Sequence, residues 1–148
     1  MTDDALNQAP AHQNRPYSDV LQRLRKAGLR PTRQRLALAR LLFDGADRHV
    51  SAEALHGEAM GAGVRVSLAT VYNTLHQFTE AGLLREVVVD SGRTYFDTNT
   101  DDHHHFFYED NGDLRDIPGE DVGLTGLPEA PADAEVARVD VIIRVRRR

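Results

Sequence analysis

The chain has 148 residues, 41% apolar and 28% charged, a balance that fits one ordinary or two small folded domains and argues against disorder. It contains no cysteine, which excludes disulfides, thiolate-bound zinc and nucleophilic-cysteine chemistry, so any metal must be held by nitrogen and oxygen. The formal charge of −5 conceals an asymmetry: between Arg15 and Arg40 eight basic residues stand against Asp19 alone, and between Asp97 and Asp121 nine acidic residues stand against Arg115 alone. The first stretch suits a polyanion and the second suits cations. No apolar run approaches the roughly 18–20 residues that span a bilayer, and the polar start has no secretory apolar region. A cytoplasmic protein with no membrane partner is the expectation.

Residues 1–14 read as a flexible arm. In "YSDVLQRLRKA", Val20, Leu21, Leu24 and Ala27 recur at helical spacing, and Gly28 is a natural stop. Thr32 can cap a second helix, "RQRLALARLLFD", with Leu36, Ala39, Leu42 and Phe43 on one side. Ser51 and Ser67 cap a third and a fourth helix, the last closed by Gly82. Two β-rich runs then flank Asp90-Ser91-Gly92, a hairpin by composition. Four helices followed by a two-stranded wing give the order of a winged helix-turn-helix over residues 15–98.

A polar joint follows at 99–102, and a small, mostly β second domain is expected over 103–148, making the whole chain α+β. "HHHFFYED" and "DLRDIP" read as strands around a turn at Asn111-Gly112. Three prolines and three glycines between Pro118 and Pro131 argue against a long helix there. "EVARVDVIIRVRR" alternates over Val136 to Val145 and predicts a long strand with one strongly apolar face. So small a domain cannot cover that face alone, which predicts a homodimer.

Along the helix from Leu68 to Ala81, Leu68, Val71, Leu75 and Phe78 fall within one arc that must face a core. Opposite lie Ala69, Thr70, Asn73 and Gln77, with Tyr72 on the flank. These are small or hydrogen-bonding groups suited to base edges: an Asn can pair with adenine, and a Thr methyl can meet a thymine methyl. Arg30, Arg33 and Arg35 can lie along phosphates or reach a minor groove. Double-stranded DNA is therefore the expected partner.

The run His103-His104-His105 lies on a predicted strand, so His103 and His105 share one face and make a ready pair of metal ligands. Heme is the rival: His103, His104 and His105, followed by Phe106, Phe107 and Tyr108, offer an axial imidazole and flat apolar surface. A metal-dependent hydrolase is a weaker reading, because no nucleophile or Gly-rich phosphate loop accompanies the cluster. A nonspecific architectural DNA binder would show salt dependence with little sequence preference.

"GLRPTRQRLALARLL", "HVSAEALH", "SLATVYNTLHQF", "AGLL" and "HHHFFYEDNG", in that order, resemble the ferric uptake regulator family of metal-sensing repressors. The lack of cysteine and the triple-His run most resemble its iron response regulator branch, whose members respond to heme. The resemblance implies a sequence-specific dimeric transcription regulator with a C-terminal dimerisation domain. It also implies that Tyr72 and Asn73 lie at the major groove and Arg30 in the minor groove. Many relatives carry Arg at the position of Asn73, which implies a shifted operator preference. It further implies a regulatory site of His49, Asp97, His103, His105 and Asp116, shared by the two domains and suited to Fe(II), Mn(II) or Zn(II). Tyr108 and Asn111 stand where relatives carry a Cys-x-x-Cys pair, so no structural Cys-bound zinc is expected. Imidazoles must shed protons to ligate, so binding should weaken in acid.

Overall fold

A computed structural model describes residues 18–148, so the expected arm, Arg15 and the helix start at Tyr17 lie outside the described residues. The chain divides into two compact units at Thr100/Asp101. Among the described residues no helix is long and apolar enough to cross a membrane.

The first unit opens with α1 (Ser18–Lys26) and α2 (Arg33–Phe43). Val20 and Leu24, one turn apart, are the buried positions of α1, and Gly28 leaves it at φ 77°. Thr32 caps α2 by accepting from the Arg35 N–H at 3.2 Å. The α2 core positions are Leu38, Ala39 and Leu42, whereas Leu36 and Phe43 pack only partly buried at its margin. A short strand β1 (His49–Val50) leads into α3 (Ala52–Gly61), and α4 follows over Leu68–Glu80. Ser51 and Ser67 cap α3 and α4 by accepting from the N–H groups three residues on.

The wing is β2 (Arg85–Asp90) and β3 (Arg93–Asp97), turned at Gly92 with φ 88°, a conformation that favours glycine. Strand β1 joins on the other side of β3, giving an antiparallel sheet in the order β1-β3-β2. One core gathers Leu24, Leu38, Leu42, Leu55, Leu75, Phe78 and Phe96 from all four helices and the wing. This is a winged helix. Leu68 departs from the expected core arc and stands 37% exposed, while Thr74 is buried. The first turn of α4 overruns the core, and the burial stripe shifts toward its middle.

The second unit is a three-stranded sheet in the order β5-β4-β6, with β4 His103–Tyr108, β5 Leu114–Pro118 and β6 Ile142–Val145. Strands β4 and β5 form an antiparallel hairpin, whereas β6 runs parallel to β4. A single 3₁₀ turn, Gly119–Asp121, follows β5. A Cβ at Gly119 would lie 2.9 Å from the Asp102 carbonyl oxygen, so glycine lets that turn pass the start of β4.

The long strand expected over Val136–Val145 is reduced to its last four residues. Val141 stands at the boundary: its carbonyl still accepts the His105 N–H at 3.2 Å, while its own N–H goes to the His104 Nδ1 at 3.1 Å. Residues 122–141 carry no regular strand or helix.

Candidate metal centre and nucleic-acid face

In the first unit, sheet register brings two of the expected ligands together. His49 on β1 pairs with Asp97 on β3, with His49 Nε2 3.3 Å from Asp97 Oδ2. Asp97 is fully buried, and its Oδ1 accepts the Asn99 N–H at 2.9 Å, which fixes the carboxylate with Oδ2 toward the imidazole. The segment carrying His49 is clamped as well. Arg48 holds Glu58 of α3 through both guanidinium nitrogens and donates to the Leu41 carbonyl. That bond from Arg48 holds the Glu58 carboxyl below the usual carboxylate range.

In the second unit, the period of β4 and its register with β5 place His103, His105 and Asp116 on one face. Donor atoms of the three lie within 4.8 Å of one another. Asp116 Oδ1 is 3.6 Å from His103 Nε2 and 3.4 Å from His105 Nε2, and the two rings meet edge-on with centroids 4.5 Å apart. Both imidazoles are buried, an environment a polar group occupies only when its partners are supplied.

Their tautomers follow from their neighbours. His103 Nδ1 lies 2.6 Å from the Asp101 carbonyl, and a carbonyl only accepts. In the neutral ring the proton therefore sits on Nδ1 and the lone pair on Nε2, the arrangement of a metal-ligating histidine with its outer hydrogen bond in place. His104 is the opposite case. Its ring lies on the other face, and its Nδ1 accepts from Val141, so the neutral ring carries its proton on Nε2. That tautomer is not ready to ligate a heme iron. The donor set of imidazole nitrogens and carboxylate oxygens suits a borderline divalent cation.

The expected DNA contacts lie on the first unit. Arg30, Arg33 and Asn73 are exposed, while Arg35, Thr70 and Tyr72 are half-buried and engaged. The Thr70 Oγ1 accepts from Ser67 Oγ at 2.9 Å, and the Tyr72 hydroxyl donates to Glu53 of α3. That bond raises the Tyr72 phenol above its ordinary range and lowers Glu53 below its own. Arg35 turns toward the protein, donating to the Arg30 carbonyl at 2.8 Å and to Gln77 Oε1 at 2.9 Å. Spacing alone gave no sign of the Tyr72–Glu53 and Arg35–Gln77 ties, which join side chains on different helices.

Residues 26–130 match the profile of the ferric uptake regulator family. The ferric uptake regulation protein of Vibrio anguillarum is 35% identical over 104 residues, covering 70% of each chain. That of Shigella flexneri is 40% identical over 82 residues, covering 55% of each, so the aligned segment spans little more than half of that relative. The structure of the ferric uptake regulator of Pseudomonas aeruginosa with manganese superimposes with a TM-score of 0.63 at 28% identity, over 85% of this chain and 96% of that one. The Vibrio cholerae ferric uptake regulator shares the fold, with a TM-score of 0.66 at 23% identity over 84% and 97% of the two chains. A winged helix, a β-rich second unit and a profile match over most of the chain agree: this protein belongs to the ferric uptake regulator family.

Proposed function

We propose that the protein is a dimeric, sequence-specific DNA-binding transcription regulator, mainly a repressor, acting in the cytoplasm. Its response to iron status runs through a His/Asp site to which both units contribute. Membership of a family of regulators makes it a regulator and not an enzyme. The observation that carries the reading is a pair of incomplete, chemically matched half-sites. His49 and Asp97 offer one nitrogen and one carboxylate, and His103, His105 and Asp116 offer two nitrogens and another carboxylate. Only five residues separate Asp97 from His103, a joint of at most about 20 Å. Five nitrogen and oxygen donors suit Fe(II), Mn(II) or Zn(II).

When bound, a divalent cation supplies a cross-link between ligands of the two units. The protein's own part is to hold the donors ready: Asn99 fixes Asp97, Asp101 fixes the His103 tautomer, and the Arg48–Glu58 pair holds β1. Restricting the joint restricts where each subunit of a dimer presents α4, and hence the spacing of the two half-sites it can read.

Within the family we assign the chain to the iron response regulator branch, on its lack of cysteine and its triple-His run. Between iron and heme as the signal, the tautomer of His104 and the convergence of His103 and His105 on Asp116 favour the ion. A manganese-sensing repressor is the second reading, supported by the likeness to a relative whose structure was determined with manganese. Replacing His103 and His105 together by Ala should weaken manganese(II) binding by more than about a hundredfold, since loss of outer-sphere partners alone costs 10–100-fold. It should also abolish any effect of manganese(II) on binding to duplex DNA while circular dichroism stays unchanged. A response that survives in the double variant means the site lies elsewhere.

A further inference from the structure

The outward face of α4 carries two carboxamides one turn apart, Asn73 and Gln77, and the structure treats them differently. Both are exposed. Among the described residues no hydrogen bond holds Asn73, so its oxygen and nitrogen both remain available. Gln77 is held by Arg35, whose two terminal nitrogens reach the Arg30 carbonyl and Gln77 Oε1. Guanidinium has donors only, so the amide must turn its oxygen toward Arg35 and its NH2 away. The planar fork of Arg makes this orientation more specific than an ammonium would.

We propose that Gln77 is a second base-reading residue, aimed by Arg35 to present hydrogen-bond donors to the major groove and so to select guanine. Arg35 is then a positioning residue and not a phosphate contact. A free Gln reads adenine by donating to N7 and accepting from N6, and it needs its oxygen for that. With Oε1 turned toward Arg35 the NH2 leads outward, and it matches the paired acceptors O6 and N7 of guanine. Asn73, with both atoms available, keeps the adenine reading. The same guanidinium ties the Arg30 loop to α4, so the loop and the helix keep one spacing on the duplex.

The inference rests on the DNA-binding reading above, and the experiment separates the two. Wild-type protein, with and without manganese(II), is used to select a preferred site from a randomised duplex pool. Its affinity for every single-base variant of that site is then compared with those of Gln77→Ala, Gln77→Glu and Arg35→Lys. Gln77→Ala should erase a preference of about tenfold or more for guanine at one base pair per half-site, leaving other positions unchanged. Gln77→Glu, which replaces donors by acceptors, should turn that preference against guanine. Arg35→Lys keeps the charge but lacks the fork, and should relax the same base pair toward adenine. An unchanged base profile in Gln77→Ala overturns the base contact. A uniform loss with unchanged profile in Arg35→Lys makes that residue a phosphate contact and overturns the positioning role. Equal wild-type affinity for all duplexes overturns the regulator reading itself, and this inference with it.

Discussion

The two units solve the problem of stability in different ways. The first closes a core of its own: Leu24, Leu38, Leu55, Leu75 and Phe78 are fully buried, and its polar groups serve caps and clamps around that core. The second buries Phe107 and Ile117 but also His103 and His105, and leaves Phe106, Leu124, Leu127, Val136 and Ile143 exposed. A unit of 48 residues has too much surface for its volume to do otherwise. Buried imidazoles and exposed apolar side chains in one small unit are what a cation and a second copy would cover under the proposed function. The difference lies in closure: the first unit covers its own apolar surface, and the second leaves part of its own uncovered.

The largest expected effect lies in the first core. Phe78→Ala should lower the stability of the first unit by about 3–5 kcal/mol, the range for truncating a fully buried phenylalanine, as read by denaturant unfolding. A transition midpoint that does not move would mean that this core is not what holds the reader together.

A charge on the apolar face of the second unit should come next. Phe106 and Ile143 are register partners on β4 and β6, exposed by 36% and 38%. Ile143→Asp should raise the dimer dissociation constant by about 30-fold or more, equivalent to about 2 kcal/mol at an interface centre. Sedimentation equilibrium measures it, and an unchanged constant would place the dimer contact on another face.

The smallest effect belongs to the clamp behind His49. Glu58 is held below its ordinary value of 4.5 by the hydrogen bond from Arg48. A carboxyl lowered in the folded state contributes stability that is present above the unfolded value and lost as pH falls through the folded one. Glu58→Gln should therefore lower thermal stability slightly at neutral pH and flatten its decline below about pH 4.5, so that the two proteins converge in acid. An acid limb identical to that of the wild type would show that the clamp is not a source of pH dependence.

Much of this was legible in the residues themselves. The caps Thr32, Ser51 and Ser67, the stop at Gly28 and the turn at Gly92 are local signals, written within a few positions of the geometry they impose. The shared face of His103 and His105 follows from the two-residue period of a strand. Where periodicity misled, tertiary contacts had the last word: Leu68 stands outside the core that its phase predicts, and of the alternating run Val136–Val145 only Ile142–Val145 forms a strand against β4. His49, Asp97 and Asp116 had no local signal as ligands and rested on family resemblance alone.

The order of the four helices and the wing, the charge division and the histidine pair each depend on neighbours along the chain, so the residues alone dictate them. Only the tertiary structure decided that β1 adds to the wing and sets His49 against Asp97, that the hairpin register carries Asp116 to the imidazoles, and that Arg35 reaches Gln77. Those are contacts between distant positions, chosen by strand pairing and helix packing, and no periodicity along a single element encodes them.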